Sequence, residues 1–558
     1  MSMDELDQKS ENSDYSTTTN GYDWLMSRRS TLKALGTVGA ISSLSGIGSA
    51  DGQSSGKTSG ENALDVTGAT VAEIRAAILT GETTAREVTE QYLKRIDAYE
   101  YEVNALITVN QDAVERANSL DETFNSSGPV GPLHGVPIIL KDNIDTDDLP
   151  TTGGNVLFED TIPPDDAYIA AQLEAAGGIV LAKGNLGEFA RGSLSSLGGQ
   201  TYNPYDLDRS PGGSSAGPGA AIAANLATLG VGTDTGGSVR IPAAFNSLVG
   251  LRPTTGLVSR DGIIPLSETL DTAGPMTKTV TDTAVMLDGM AGFDSSDPAT
   301  AESLGNIPKE GYTSQLDTDD LEGARLGVIR EYIEDDPEET GVEAGQPLVV
   351  AELIESAIDD LEAAGATIID SVTIPDLNEL VGEGYITGFE FERDLNEYLD
   401  ELGGAAPVDT QQEILESETI EGGIIERFRA SRDIDVETLD ENVEYLSGLR
   451  ARQTLRENLF FTMAENELDA FIYPTASRTP AEIGADRPSG INTTLSPVAA
   501  FPSITVPAGY TSETELPVGL EFLGRPFEEP LLLGLAYSYE QATMLRHPPE
   551  GFGSLSEN

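Results

Sequence analysis

Lys141 is the first residue whose type and position could do chemistry, since it directly follows the apolar run 136–140. Burial disfavours the ammonium form and can lower a lysine pKa by about 3–5 units. A lysine at the end of a buried strand could therefore serve as a base near neutral pH. The structural alternative is a lysine whose charged end reaches solvent from the end of the strand.

Ser214 and Ser215 lie in the glycine-rich segment 209–220, and their adjacent hydroxyls could hand a proton between neighbours. Glycines in such a segment permit sharp turns and close approach of the backbone. A phosphate-binding loop is excluded, because no Gly-Lys-Ser/Thr sequence follows. A flexible linker is the alternative, and the small-residue, helix-compatible run 220–227 argues against it.

Ser238 follows a glycine pair at the end of an apolar run, within the segment 229–242. Successive amide N–H groups at such a turn can point together at an oxyanion, which is usually the largest electrostatic contribution to acyl transfer. An ordinary glycine turn is the alternative. Each segment alone leaves the chemistry open, and the three together are far more specific.

The residue types that are missing narrow the chemistry further. The chain has no cysteine, which excludes disulfides, thiolate nucleophiles and sulfur-ligated metals. His134 and His547 are its only histidines, so a multi-histidine zinc site is nearly excluded. His134 is interpreted as structural, and His547 is given no role. We therefore predict neither a metal nor a cofactor, and acyl-transfer chemistry needs a base other than histidine.

Taken together, the three segments resemble the amidase signature family, which includes fatty acid amide hydrolase and peptide amidases. The similarity runs from the lysine-containing strand through Gly-Gly-Ser-Ser-Ala-Gly to Gly-Thr-Asp-Thr-Gly-Gly-Ser-Val-Arg, with the two serines 24 positions apart. It continues through the segments 250–256 and 516–525 and spans about residues 67–548. The resemblance implies the α/β fold of this family, with a mixed central β-sheet flanked by helices on both faces.

The resemblance also implies a role for each matching residue. Ser238 matches the nucleophile that forms the acyl-enzyme, Ser214 matches the bridging serine that follows a cis peptide bond, and Lys141 matches the general base. The family's oxyanion hole matches four backbone N–H groups, those of Thr235, Gly236, Gly237 and Ser238. Asp234 and Arg240, beside the turn, are interpreted as braces rather than as reacting groups.

The elements that must position these residues alternate between strands and helices. Short apolar runs predict strands over 136–140 and 178–182, with a helix over 168–176 between them. Helical spacing predicts helices over 71–79 and 85–99, the first of them capped by Thr70. Further strands are predicted over 325–329, 367–372, 470–473, 503–507 and 518–523, and further helices over 348–364, 436–465 and 529–543.

The charge of the chain is unusual, since 94 acidic residues against 32 basic ones give a net charge of −62. Such a field repels nucleic acid and anionic membranes, which argues against both as partners. The acidic positions interleave with periodic apolar ones, so the acidity indicates a folded halophilic protein rather than disorder. Self-repulsion is screened best in molar salt, where the Debye length is about 3 Å.

The N-terminal residues predict export. Arg28 and Arg29 precede a weakly apolar run that closes with small residues at Ala50, a pattern similar to a twin-arginine signal with a cleavage site. A solvated arm with a chance pair of arginines is the alternative. The predicted organisation is a disordered N-terminus with the signal over 1–50, a Gly/Ser linker over 51–64, a single amidase domain over 65–548 and a tail over 549–558. No later run is long enough to span a membrane.

Three functions are compared on this basis. The first is a secreted amidase that hydrolyses linear carboxylic amides to an acid plus ammonia or an amine, and the segment 496–507 resembles the peptide-amidase branch. The second is the glutaminase (A) subunit of a glutamyl-tRNA amidotransferase, and the third is an inactive binding protein on the same fold. The family likeness places the segments 153–154 and 188–190 in the cleft. The expected partner is a small-molecule amide, while the identity of that amide and the formation of a homodimer stay open.

Overall fold

A computed structural model describes residues 64–333, 346–421, 424–432, 434, 436–485 and 490–555. These residues all fall in one compact unit, Ser59–Asn558. The predicted signal over 1–50 lies outside the described residues, as does the predicted linker except for its last residue. Within the described ranges, no helix is long and apolar enough to cross a bilayer.

An eleven-stranded mixed sheet confirms the predicted fold class. The strands in chain order are β1 Leu106–Val109, β2 Pro137–Lys141, β3 Ile179–Gly184, β4 Leu194–Ser195, β5 Gly199–Gln200, β6 Leu229–Asp234, β7 Val249–Arg252, β8 Thr272–Thr277, β9 Arg325–Val328, β10 Thr367–Ile369, β11 Ala470–Pro474, β12 Ser503–Tyr510 and β13 Pro517–Leu523. The large sheet has the order β1-β3-β2-β6-β8-β7-β12-β13-β11-β9-β10, and β4 pairs with β5 separately. Strand β2 runs parallel to both of its neighbours, β3 and β6, whereas β6 and β8 are antiparallel.

Helices pack around this sheet and supply much of the core. In chain order they are α1 Val71–Thr80, α2 Ala85–Val103, α3 Ala113–Ser127, α4 Tyr168–Ala175, α5 Ala216–Ala223, α6 Arg240–Phe245, α7 Val280–Met290, α8 Gln346–Ala363, α9 Leu377–Gly384, α10 Thr387–Leu402, α11 Gln411–Glu416, α12 Ile425–Arg432, α13 Val443–Asn466, α14 Leu495–Ala499 and α15 Glu529–Thr543. Thr70 caps α1 as predicted, and Glu73 completes the capping box by accepting from the Thr70 backbone N–H.

Three helices that the sequence patterns did not predict, α10, α11 and α12, form what we call the cap. Apolar side chains of the cap pack on side chains that follow β2 and β3, among them Phe391 on the cap and Phe158 and Phe189 beneath it. The cap therefore closes an apolar cluster over the end of the sheet that carries Lys141.

Several predicted elements end a few residues away from their observed ends, and one predicted helix is divided. The helix predicted over 436–465 is divided, because Asn442 caps a new helix by accepting from the N–H groups of Glu444 and Tyr445 at 3.0 Å. Residues beyond 548 also pack on the unit: Phe552 is buried, and the Arg95 guanidinium donates to its carbonyl at 2.7 Å.

Candidate active site

Lys141 ends strand β2 and is completely buried, which confirms the predicted desolvation of its amine. Its Nζ donates one hydrogen bond to Ser214 Oγ at 2.7 Å and another to Thr233 Oγ1 at 2.8 Å. Burial lowers the pKa of Lys141 to about 7, although the carboxylates of Asp271 and Asp234 act in the opposite direction. About half of the amine is then neutral at pH 7 and has a lone pair that can accept a proton.

The register of the sheet explains why Thr233 meets the lysine. Strands β2 and β6 are parallel with Leu140 opposite Val231, so both reach the same edge of the sheet within one or two residues. Asn143 Nδ2 also donates to Thr233 Oγ1, at 3.2 Å. Two donors therefore fix the Thr233 hydroxyl, and the hydroxyl in turn orients the amine toward Ser214.

Ser214 precedes helix α5 and is buried beside the lysine. The Gly213–Ser214 peptide bond is cis, as the family resemblance implies. The loop 187–192 packs against it, since the Gly187 N–H donates to the Ser214 carbonyl at 3.0 Å and a Cβ on Gly213 would clash with the Gly192 carbonyl. Only glycine therefore fits immediately before Ser214.

Ser238 lies on the turn between β6 and α6 and is half-buried. Its carbonyl accepts a hydrogen bond from the Ser215 N–H at 3.2 Å, which joins this turn to the residue that follows Ser214. The structure thus brings Lys141, Ser214 and Ser238 to one edge of the sheet. Ser238 is the most accessible of the three, as a residue that meets a substrate has to be.

The glycine pair before Ser238 forms a tight turn that Asp234 holds from inside. Gly237 has a φ of 122°, and a Cβ there would clash with Thr493 Oγ1, so only glycine fits. The Asp234 carboxylate accepts from the N–H groups of Gly237 at 2.8 Å and of Val239 at 3.1 Å. The Gly237 N–H, one of the four predicted oxyanion donors, therefore already donates to the Asp234 carboxylate.

The other predicted donors of the turn are differently placed. In the described part of the chain, the N–H groups of Thr235, Gly236 and Ser238 take part in no hydrogen bond outside the regular strands and helices. Thr493 Oγ1 donates to the Gly236 carbonyl at 2.7 Å and so fixes the orientation of the glycine pair. The turn therefore offers three predicted N–H donors in a fixed backbone.

Asp234 is itself held by two buried arginines, which agrees with its interpretation as a brace. Arg240 Nη2 lies 3.0 Å and Arg252 Nη1 lies 3.2 Å from Asp234 Oδ1, and Arg240 also pairs with Glu521. Burial alone would raise the pKa of Asp234, but Arg240 and Arg252 hold it well below its ordinary value. Tyr473 donates to Glu521 at 2.9 Å and extends the network beneath the turn.

Comparison with known proteins agrees with this geometry. The sequence profile of the Amidase family matches residues 87–533, which is most of the chain. The chain belongs to the amidase signature family. Membership of this family indicates that the chain is a hydrolase that acts on carbon–nitrogen bonds.

Individual relatives of the family are similar over nearly their whole length. The structure of a peptide amidase from Stenotrophomonas maltophilia is 36% identical, with a TM-score of 0.78 over 86% of this chain and 98% of that one. An amidase family protein from Bacillus anthracis is 32% identical, with a TM-score of 0.75 over 87% of this chain and 93% of that one. Among curated proteins, the glutamyl-tRNA(Gln) amidotransferase (A) subunit of Thermoanaerobacter pseudethanolicus is 35% identical over 87% of this chain and 98% of its own length.

Several residues of this amidase-family site were not found from the sequence. Thr233 binds the lysine, Asp271 accepts a hydrogen bond from Thr235 Oγ1, and the Tyr385 hydroxyl lies beside Gly236. Thr233 could have been found, because it lies on the same strand end as the predicted turn. Asp271 and Tyr385 are brought in by distant segments, and no local pattern marks them.

Glu188 connects the cleft of the amidase domain to the segment between helices α11 and α12 of the cap. Its Oε1 accepts from Asn155 Nδ2 at 2.6 Å and from Ser196 Oγ at 2.5 Å, and its Oε2 accepts from the Glu421 N–H at 2.6 Å. Phe189, next in sequence, has a φ of 46° and lies against Gly153. The two segments that the family likeness placed in the cleft therefore do contact each other.

The two histidines contact residues other than those of the candidate site. His134 is buried, accepts from the Val130 N–H at 3.2 Å and packs on Phe124, which agrees with a structural role. His547 is exposed and stacks on Tyr510 at 3.7 Å. Among the described residues, no group of three or more His, Cys, Asp or Glu side chains could hold a metal ion.

A cavity of about 380 Å³ reaches the side of the site that carries Thr233 and Asp271. Its walls include both of these buried residues and also the exposed Glu397 and Glu401 of the cap, so it connects the surface to the neighbourhood of the lysine. Seven carboxylates and one guanidinium, that of Arg260, line it. The potential in the cavity is therefore negative, which favours cations over anions there.

Proposed function

We propose that the chain is a secreted amidase that hydrolyses linear carboxylic amides to an acid plus ammonia or an amine. The observation that carries this proposal is the hydrogen bond of 2.7 Å between the fully buried Lys141 Nζ and Ser214 Oγ. It gives a buried serine a base that is partly neutral at physiological pH. Membership of the amidase family supports the same reaction class.

The first half of the reaction forms an acyl-enzyme. Ser238 Oγ attacks the amide carbon while its proton passes to Ser214, and the proton of Ser214 passes to neutral Lys141. The N–H donors of the glycine turn, those of Thr235, Gly236 and Ser238, stabilise the oxyanion that forms on the carbonyl oxygen. The proton then returns through Ser214 to the leaving nitrogen as the carbon–nitrogen bond breaks, so that the product departs as neutral ammonia or amine.

The second half uses water in place of the amide nitrogen. Water attacks the ester carbon of the acyl-enzyme while its proton travels along Ser214 to Lys141. The proton returns to Ser238 Oγ as the ester bond breaks, and the carboxylic acid leaves. Lys141 is neutral again at the end, so the cycle needs no cofactor and consumes one water for each amide.

The test is ammonia release from a panel of primary amides, with fluorophosphonate labelling of the nucleophile as a second readout. We expect Ser238→Ala to lose both turnover and labelling while keeping its circular dichroism spectrum. Ser126→Ala, at an exposed serine of α3, is the matched control and should keep both. Unchanged ammonia release from Ser238→Ala would rule out the assigned nucleophile, and wild-type protein that reacts with neither probe would favour a binding protein on this fold.

The second candidate is the glutaminase (A) subunit of a glutamyl-tRNA amidotransferase. It is favoured by the name and 35% identity of the curated relative from Thermoanaerobacter pseudethanolicus. The peptide amidase structure agrees better with this chain, at 36% identity and a TM-score of 0.78, than does the structure of the amidotransferase (A) subunit from Thermotoga maritima, at 28% and 0.67. A panel that includes glutamine and a C-terminally amidated dipeptide separates the two. Glutamine as the preferred substrate, together with a co-purifying partner subunit, would favour the second candidate.

Export and salt adaptation are part of the same proposal. Arg28 and Arg29, ahead of the run that ends at Ala50, support export by the twin-arginine route. The net charge of −62 supports function in molar salt, where the repulsion between carboxylates is screened. N-terminal sequencing of protein recovered from the culture medium tests the first point. An intact N-terminus on the extracellular protein would contradict cleavage near Ala50.

A further inference from the structure

Asp271 is a buried carboxylate that touches the turn of Ser238 and has no part in the relay described above. It directly precedes strand β8, which pairs with β6 so that Thr272 lies opposite Asp234. Its Oδ1 accepts from Thr235 Oγ1, and its Oδ2 accepts from the N–H groups of Leu266 at 2.7 Å and Ser267 at 3.1 Å. Three donors therefore hold the carboxylate against the first residue of the oxyanion turn.

The charge of Asp271 is not neutralised by a direct ion pair. Among the described residues no arginine or lysine nitrogen lies within salt-bridge distance of it, whereas Arg240 and Arg252 both bind Asp234. The nearby Arg260 is committed to Asp297, 2.8 Å from its Nε. Burial raises the pKa of Asp271, and the three donors around its oxygens oppose that rise.

Lys141 is the cation on which this charge acts. Asp271 lies near the amine, because Lys141 donates to Thr233 Oγ1 and Asp271 accepts from Thr235 Oγ1 two residues further along, and Thr233 and Asp271 line the same cavity. Asp234, between the two threonines, is the other carboxylate that acts on the amine, and Asp271 has the larger effect. Asp142, the residue after the lysine, lies 3.7 Å from Lys183 Nζ and pairs with that amine. The groups in direct contact with the amine, Ser214 Oγ and Thr233 Oγ1, are uncharged hydroxyls.

We propose that Asp271 is a positioning residue of the amidase reaction, which holds Thr235 in the oxyanion turn and whose charge sets how tightly Lys141 binds a proton. The proposal rests on the proposed function, because it assigns Asp271 a role through two groups of that site. The two effects are separable. The hydrogen bond to Asp271 acts on Thr235, whereas the charge of Asp271 acts on Lys141.

The direction of the charge effect follows from electrostatics. A negative charge near an amine favours the ammonium form, so removing the charge of Asp271 lowers the pKa of Lys141. The acid limb of the kcat/KM profile then moves to lower pH. We expect a shift of about one pH unit, a tenfold change in proton affinity, which is at the low end of the effect of a nearby charge on a pKa.

Asp271→Asn is the variant that removes the charge and keeps the shape. The amide oxygen can accept from the N–H groups of Leu266 and Ser267, and the amide nitrogen can donate to Thr235 Oγ1, so each hydrogen bond has a replacement. Thr235→Val is the matched variant, because it removes the hydrogen bond and leaves the charge. Asp271→Glu keeps the charge and changes its position.

The experiment measures kcat and kcat/KM against pH for these variants and the wild type in molar KCl. We expect Asp271→Asn to move the acid limb about one pH unit lower, while Thr235→Val reduces kcat by about tenfold and leaves the limb in place. Asp271→Glu should keep the limb near that of the wild type even where kcat falls. A limb that does not move in Asp271→Asn, or that moves equally in Thr235→Val, would overturn the proposal.

Two further outcomes concern variants that do not fold and a wild-type protein that is inactive. If Asp271→Asn does not fold, Asp271→Ser is measured in its place, and a failure of both neutral variants to fold overturns the role in the chemistry in favour of a role in folding. Failure of the proposed function itself has a different signature, since wild-type protein would then release no product and Ser238→Ala would not differ from it.

Discussion

A buried lysine as the base makes one prediction that can be worked from the structure: activity has to fall on the acid side of pH 7. Lys141 is fully buried and its pKa is lowered to about 7, from an ordinary value near 10.4. At pH 7 an ordinary lysine is neutral in about one molecule in 2,500, whereas here about half of the molecules hold a neutral amine. Burial therefore raises the concentration of the active base by about three orders of magnitude.

The direction of the pH dependence follows from the protonation state of Lys141 that is active. Only the neutral amine accepts the proton of Ser214, so kcat/KM should fall about tenfold for each pH unit below 7 and reach about 1% of its plateau at pH 5. The assay is ammonia release under kcat/KM conditions in molar KCl across that range. Lys141→Ala should lose about 100- to 10,000-fold in turnover, the usual contribution of a general base.

Controls separate this lysine from other groups that titrate near pH 7. Lys278 is the matched control for Lys141, because it is also buried and burial lowers its pKa to about 7 as well. Lys278→Met should keep the acid limb of the wild type. Added alkylamine should restore part of the activity of Lys141→Ala, with a limb that follows the pKa of the amine. A wild-type enzyme that is fully active at pH 5, or Lys141→Ala that keeps its turnover, would refute the reasoning.

Four further outcomes are expected. Gly237→Ala should lose most activity and about 1–3 kcal/mol of stability, measured by urea unfolding, because the φ of 122° and Thr493 leave no room for a methyl group. Arg240→Met should cost about 3–5 kcal/mol, since it leaves Asp234 and Glu521 buried with less compensation; Arg86→Met, at an exposed pair with Glu90, is the matched control and should leave the urea midpoint unchanged. Lys183→Met should cost a similar 3–5 kcal/mol, because the Asp142 charge loses its partner at 3.7 Å. The midpoint of thermal unfolding should rise from dilute buffer to molar KCl, since salt screens a net charge of −62, and a midpoint that falls would contradict halophilic adaptation.

The sheet could be predicted where its strands are buried and apolar. The run that became β2 and the run that became β3 have every residue buried, and both were found within two residues of their observed ends. Strand β8, with the sequence Thr-Ala-Gly-Pro-Met-Thr, has neither an apolar run nor an alternation, so nothing local marked it as a strand. It is a strand because β6 and β7 lie on either side of it.

The cap escaped prediction for a different reason. Its longest helix, α10, buries Phe391, Leu395 and Leu399 at helical spacing, but the same helix also buries Glu390 and Asp394. A buried carboxylate breaks the apolar stripe on which a helix prediction depends. Besides Arg393 on the same helix, the groups that satisfy these carboxylates are distant in sequence, such as Thr269 Oγ1 for Glu390, and a pairing over that separation is not readable from sequence.

The site was predictable to the extent that its chemistry lies in short segments. A local sequence signal marks each of Lys141, Ser214 and the turn of Ser238. The parallel register of β2 and β6 then brings the lysine to the same end of the sheet as that turn. Which N–H groups of the turn are available was not predictable. The Asp234 side chain reaches forward three residues to take the N–H of Gly237, and only the folded turn shows that.

Two buried lysines show that burial alone does not make a base. Lys183 is as buried as Lys141, but its Nζ donates to the Ile144 carbonyl at 2.6 Å and to Thr151 Oγ1 at 2.7 Å, and the Asp142 carboxylate lies at 3.7 Å. Burial lowers the pKa of Lys183 as well, but the Asp142 carboxylate opposes that shift and supports the ammonium form. The Thr151 hydroxyl gives its own proton to the Ile144 carbonyl at 3.3 Å, so it is an acceptor for the Lys183 amine. The groups in contact with Lys141 are hydroxyls, and that of Ser214 can both accept from an ammonium and donate to an amine. The reactivity of this site therefore depends on what lies around the amine. Two hydroxyl oxygens lie within 2.8 Å of it, and the nearby carboxylates of Asp234 and Asp271 are hydrogen-bonded to other groups.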